Sequence, residues 1–331
     1  MTARVKLSQI FSPEEMKHLT FRSDWRGGWA VASTWGVIGG ALWAVAWSSA
    51  HMPLWAQALV FVAALFVIAG RQLALAILTH DASHKTLFKS KWANDVLTDW
   101  LCARPIWNDL HKYRPYHFEH HQKTSTDDDP DLSLVAGFPT TKASLLRKFA
   151  RDLSGVTGLK FVLGRVMMDA GLLKWTVAND ITYLPQEGRR WWDYPVTFVR
   201  TALPMLITNG VLFGLLWLSG HPWLYGVWAL AYVTPFPLLI RIRSLAEHAC
   251  LETSLDMFKN TRSTKAGWLA RAMVAPINVN YHIEHHVMPA TTFFRLREMH
   301  ELLRQRGLTP EPPTYWRVLK IVTTRSSSVA A

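Results

Sequence analysis

Two long stretches of this chain contain no Asp, Glu, Lys or Arg: 44 consecutive residues between Arg26 and Arg71, and 40 between Arg200 and Arg241. Crossing the roughly 30 Å apolar core of a bilayer takes about 20 apolar residues in a helix. Each stretch therefore has room for two crossings joined by a tight turn. A soluble core helix rarely needs a charge gap of this length, so the pattern predicts four transmembrane helices in two hairpins. The spans are placed at about 29–50, 55–78, 195–218 and 222–240, leaving 1–28, 79–193 and 241–331 outside the bilayer.

The net charge is +12. In a nucleic-acid-binding domain the basic residues would form a patch on a polar surface. Here Arg4, Lys6, Lys17, Arg22 and Arg26 precede the first span, and Arg241 and Arg243 follow the last. The turns "SSAHMP" and "SGHP" carry no Lys or Arg. The positive-inside rule then puts both termini and the polar middle in the cytoplasm, facing the inner membrane if the chain is bacterial. Trp25, Trp29, Trp55, Trp191, Trp192 and Trp223 fall near the expected interfaces, where tryptophan concentrates. The composition argues against a nucleic-acid partner. Cys102 and Cys250 both fall on the cytoplasmic side, where a disulfide is not expected, and no signal peptide is expected at the start.

Shorter motifs fill in the rest. "FSPEE" offers Ser12 as N-cap, Pro13 at the first helical position and Glu15 as capping-box partner. In "TTKASLLRKFARDLSG", Leu145, Leu146, Phe149 and Leu153 share a face, as in a helix lying on a membrane surface. "GLKFVLGRVMMDAGLLKW" is apolar but punctuated by charge, so it reads as buried or interfacial rather than spanning. Pro235 and Pro237 should kink or unwind the end of the fourth span. "FFRLREMHELLRQRG" reads as a helix closed by Gly307, and the tail "RSSSVAA" as disordered.

Eight of the 14 histidines fall into three clusters: His80 and His84 in "HDASH", His117, His120 and His121 in "YHFEHHQKT", and His282, His285 and His286 in "YHIEHHVMP". Residues at i, i+3 and i+4 share one helix face, so each cluster presents its imidazoles together. Two spans separate the second cluster from the third, which returns all three to the same side of the membrane. His18, His51, His221 and His300 stand alone and read as core or surface residues. Eight imidazoles exceed what one zinc accepts and suit two metals. Imidazole alone leaves iron against zinc open.

"HDASH", "HFEHH" and "HIEHH" resemble the three histidine boxes of the membrane fatty acid desaturase and hydroxylase superfamily. "YRPYHFEHHQKTSTDDDPDL", with Asp129, Pro130 and Asp131, and "NVNYHIEHHVMP", with Asn278, resemble the contexts of its second and third boxes. The resemblance covers roughly residues 30–300. It implies an all-α integral membrane fold, with a cytoplasmic helical cap carrying a di-iron centre, in a single domain over 1–331. It also implies dioxygen as co-substrate, a lipid or fatty acyl substrate, and electrons from an external donor such as a ferredoxin with its reductase. No cytochrome b5-like domain is recognised in the sequence. In the acyl-desaturase branch a further histidine after span four completes the site, and His248 in "RSLAEHAC" takes that place. The branch often has Asn four residues earlier, where this chain has Ser244. His111 is a weaker candidate.

Asp81, Asp128, Asp129 and Asp131 are placed to hold the outer ring nitrogens of the ligands, and Asn278 is a further candidate for that role; Glu119 and Glu284 should point away from the ligand face. The implied reaction is oxidative attack on an unactivated C–H bond, first of all acyl desaturation. Hydroxylation of a fatty acyl, sphingoid or carotenoid lipid, and oxidative decarboxylation to a terminal alkene, share the same boxes. A membrane zinc hydrolase and a metal transporter are further alternatives; a transporter would place its ligands near mid-bilayer. Arg241 and Arg243 could meet a substrate head group, although positive-inside placement explains them without one.

Overall fold

The computed structural model describes residues 6–175 and 181–324. The tail "RSSSVAA" lies outside the described residues. Four helices are long and apolar enough to cross a membrane. The chain enters through α1 (Pro13–Leu19), whose capping box is as expected: the Ser12 hydroxyl accepts from Glu15 N–H and the Glu15 carboxylate from Ser12 N–H. Next come α2 (Asp24–His51) and α3 (Leu54–Ser83), separated only by Met52 and Pro53. These two pack along their lengths, sharing a core that includes Ile38, Leu42, Val45, Ile68 and Leu75. Their lengths exceed the apolar need, so the last turn of α3 carries polar residues out of the span: Thr79, His80 and Asp81, all buried.

After two π-helical segments (Ala93–Leu97 and Asp99–Ala103) comes α4 (Leu110–Lys123), N-capped by the Asp109 carboxylate, which accepts from His111 and Lys112 N–H. Then follow α5 (Lys142–Leu153) and α6 (Val156–Asp169). On α5, Leu145 is buried while Leu146 and Leu153 are exposed. Its Asp152 is fully buried against Arg241, which grips it with Nε to Oδ2 at 2.5 Å and Nη2 to Oδ1 at 2.9 Å. One departure from an all-helical chain follows. Strands β1 (Leu173–Trp175) and β2 (Ile181–Tyr183) pair antiparallel, Leu173 opposite Tyr183. Three-residue strands are too short to leave a period-two signal.

The third long helix is α7 (Asp193–Leu218). The fourth apolar segment is broken: α8 (Leu224–Val233) ends at Thr234 (φ −111°, ψ −84°), and α9 (Pro235–His248) restarts with Pro235 at its first position. Proline has no N–H to give the preceding turn, so the break falls there. The outward faces of the long helices are apolar, with Trp43, Leu59, Leu203, Val211 and Leu215 exposed. Such a surface is costly in water and free of cost in hydrocarbon. The chain finishes through α10 (His282–Val287), α11 (Leu296–Gln305), closed by Gly307 in the left-handed region (φ 67°), and α12 (Tyr315–Ile321).

Candidate metal centre

Four helix segments deliver histidines to one place. The end of α3 brings His80 and, as its C-cap, His84. One face of α4 brings His117 and His121, with His120 beside them. The last residue of α9 is His248, and α10 carries His282, His285 and His286. They fall into two groups: His80, His84, His117, His121 and His285, and His120, His248, His282 and His286. Within each group the potential ligand nitrogens all lie within 4.8 Å of one another. Neither H-x-x-H-H box serves one group alone: His120 leaves its neighbours for the second group, and His285 leaves its own for the first.

The spacing inside the groups is specific. His121 Nε2 lies 3.0 Å from His117 Nε2 and 2.9 Å from His285 Nε2. His282 Nε2 lies 2.8 Å from His248 Nε2 and 3.1 Å from His286 Nε2. For metal–nitrogen bonds of about 2.1 Å, adjacent ligands at right angles stand about 3 Å apart. Nitrogens of neutral imidazoles have no other reason to converge in threes. His80 Nε2 and His84 Nε2 are buried and find no hydrogen-bond partner among the described residues. A buried lone pair left so costs stability, and a bound cation would satisfy it.

Carboxylates hold the outer ring nitrogens of two of these histidines. His80 Nδ1–H donates to Asp81 at 2.9 Å, and His120 Nδ1–H to Asp129 at 2.8 Å. Each bond fixes the tautomer that turns the Nε2 lone pair into the cluster. Asp129 is itself fixed by the N–H groups of Ser125 and Asp131. Asp131 accepts from the Tyr116 hydroxyl at 2.5 Å and lies 3.7 Å from His120 Nδ1. Burial and neighbouring imidazoles hold His117, His282, His285 and His286 well below the usual histidine range, so they keep their lone pairs at neutral pH. For His120 burial acts the same way, but the Asp129 hydrogen bond and the charges of Asp131 and Asp129 outweigh it and raise its affinity for a proton.

Other candidates lie elsewhere. His111 and Asp128 are exposed. Asn278 does not reach an imidazole: it sits in left-handed backbone (φ 61°), and its amide donates to the Phe293 carbonyl at 3.1 Å. Glu119 is exposed and pairs with Lys123. Glu284, fully buried on the far side of α10, accepts from Ser263 and from His300 Nδ1 at 2.6 Å. His300, which stands alone in the sequence, is thus tied to the third box.

Other side chains adjoin the cluster. Tyr113 stacks on His117 with centroids 5.2 Å apart. Arg114 donates to the Ala82 and Ser83 carbonyls and to Asp95, clamping α4 to the end of α3. Glu247 Oε2 lies 3.7 Å from His282 Nε2, while its Oε1 accepts from Arg243 Nε at 2.8 Å. The only trace of this pair in the sequence is its i,i+4 spacing of opposite charges.

The chain is also similar to known proteins. The chain is 24 % identical over 254 residues to a dihydrorhizobitoxine desaturase of Bradyrhizobium elkanii, covering 73 % of this chain and 67 % of that protein. It is 22 % identical over 257 residues to an sn-1 oleoyl-lipid 12-desaturase of Anabaena variabilis, covering 75 % and 70 %. A similar enzyme of Synechocystis is 25 % identical over 242 residues, covering 69 % and 64 %. The profile of the family described as fatty acid desaturase matches residues 53–318, a stretch holding all nine clustered histidines and most of the four long apolar helices. The chain belongs to the fatty acid desaturase family.

Proposed function

We propose that this protein is a membrane di-iron oxidase that desaturates a lipid acyl chain with dioxygen. The observation that carries the reading is the division of nine histidines, six buried and three half-buried, into a five-membered and a four-membered group, with Nε2 atoms converging at 2.8–3.1 Å. That donor set fits two metals. The five-membered group would hold one iron and the four-membered group the other, and the pair would supply the activation of dioxygen. The protein's own part is to keep the imidazoles neutral, to fix their tautomers through Asp81 and Asp129, and to exclude water from the cluster.

The low identity to desaturases of different substrates supports the class of reaction rather than one substrate. We place the apolar spans in the bilayer as two hairpins, with the histidine clusters, both termini and the basic flanks on the cytoplasmic side. Charge distribution and the apolar outer faces support this placement. Electrons would arrive from a separate small redox protein with its reductase. The test is mass spectrometry of lipids after expression with such a reductase system. Loss of two hydrogens from an acyl chain, dependent on oxygen, is expected. Gain of one oxygen or loss of the carboxyl carbon would reassign the reaction, and no oxygen-dependent change would overturn the reading.

A further inference from the structure

Arg241 and Arg243 follow one another on α9, yet the structure treats them differently. Arg241 spends two donors on the buried carboxylate of Asp152. Arg243 uses one: its Nε donates to Glu247, and no described residue takes its terminal Nη groups. The side chain is not sealed off: 18 % of it stays accessible. Its partner Glu247 turns its other oxygen, Oε2, to within 3.7 Å of His282 Nε2. Arg243 therefore stands one carboxylate away from the four-histidine group.

A guanidinium has a side face and an end face, each able to grip a carboxylate with two parallel hydrogen bonds. Glu247 takes the Nε side, which leaves the end face for another anion. On the oxidase reading, the site must admit an acyl chain from the bilayer. An anion of minimal size attached to such a chain is a fatty acid carboxylate. We infer that Arg243 binds the carboxylate of a free fatty acid at the metal centre, making the free acid, rather than a phospholipid-linked chain, the substrate. This inference rests on the oxidase reading of the site.

The test uses purified, iron-loaded protein in detergent, with bound tritiated palmitic acid competed by palmitic acid, its methyl ester or dipalmitoylphosphatidylcholine. The charge-assisted pair should make the acid bind about tenfold or more tightly than the ester. In Arg243→Gln that preference should vanish, and in Arg243→Lys part of it should remain. Equal binding of acid and ester by the unaltered protein overturns the inference, as does an acid preference that survives in Arg243→Gln. If Arg243→Gln fails to fold, the comparison on the unaltered protein decides alone. Iron content and oxygen consumption of the same preparations report separately on the oxidase reading.

Discussion

His121 Nε2 on α4 stands 2.9 Å from His285 Nε2 on α10, joining two residues 164 positions apart. The contact crosses from the second histidine box to the third, so neither box makes a complete group alone. His285 also has its ring 4.3 Å from that of His80 and 4.9 Å from that of His84. Replacing it removes the only contribution of α10 to the five-histidine group. His285→Ala should therefore lose one metal of the pair and all lipid oxidation. Metal content by mass spectrometry, set beside the lipid products, checks both; full activity in this variant would refute the assignment.

Asp129 touches no second histidine, yet it holds His120 in the required tautomer. Asp129→Asn keeps the shape and removes the charge. Outer partners of this kind change metal affinity or activity by about 10- to 100-fold. A loss in that range is expected, with His120 the ligand loosened. Titrating stripped protein with ferrous iron under anaerobic conditions measures it.

The site was legible in the sequence because its ligands cluster locally: i, i+3, i+4 spacing survives in one dimension. His248, a lone histidine at the end of a helix, entered only through family resemblance. The approach of Glu247 to His282 and the Glu284–His300 bond were not legible, because each gains meaning from an element distant in the chain. The four apolar helices followed from charge gaps alone. The break at Thr234 followed from Pro235, since a missing N–H is a local fact. The π-helical turns at 93–103 and the small sheet had no such signal, being set by what they pack against.

Acid should weaken the metal-free protein. His117, His282, His285 and His286 bind protons less readily in the fold than the ordinary value of 6.5. The unfolded chain therefore takes up more protons below that pH, and stability falls as pH drops through it. His120 and Glu247, the latter pushed up to about 7 by burial, bind protons more readily in the fold and oppose this, but are outnumbered. Thermal melts of chelator-stripped protein in detergent should show the midpoint falling below about pH 6.5. A midpoint rising on acidification would contradict the burial of these rings as neutral groups.

Arg241 and Asp152 tie α5 to the last apolar segment, with Asp152 fully buried. Arg241→Met strands that carboxylate. Breaking one side of a buried pair costs about 3–5 kcal/mol. The variant should unfold at lower denaturant, and Arg241→Met combined with Asp152→Leu should recover much of the loss.

Gly158 on α6 lies under the carbonyl of Val233, where an added Cβ would overlap the oxygen. That oxygen is backbone at the end of α8 and has little room to move. Gly158→Ala should cost about 1–3 kcal/mol through overpacking, read as a lowered melting temperature in detergent.

The central claim is that the two histidine groups hold two irons. Metal analysis of the purified protein, combined with Mössbauer spectroscopy after growth on enriched iron, tests it most directly. The account predicts two irons per chain in distinct nitrogen-rich surroundings, one for each group. A single tightly held zinc, in protein that acts on its lipid without oxygen, would contradict it.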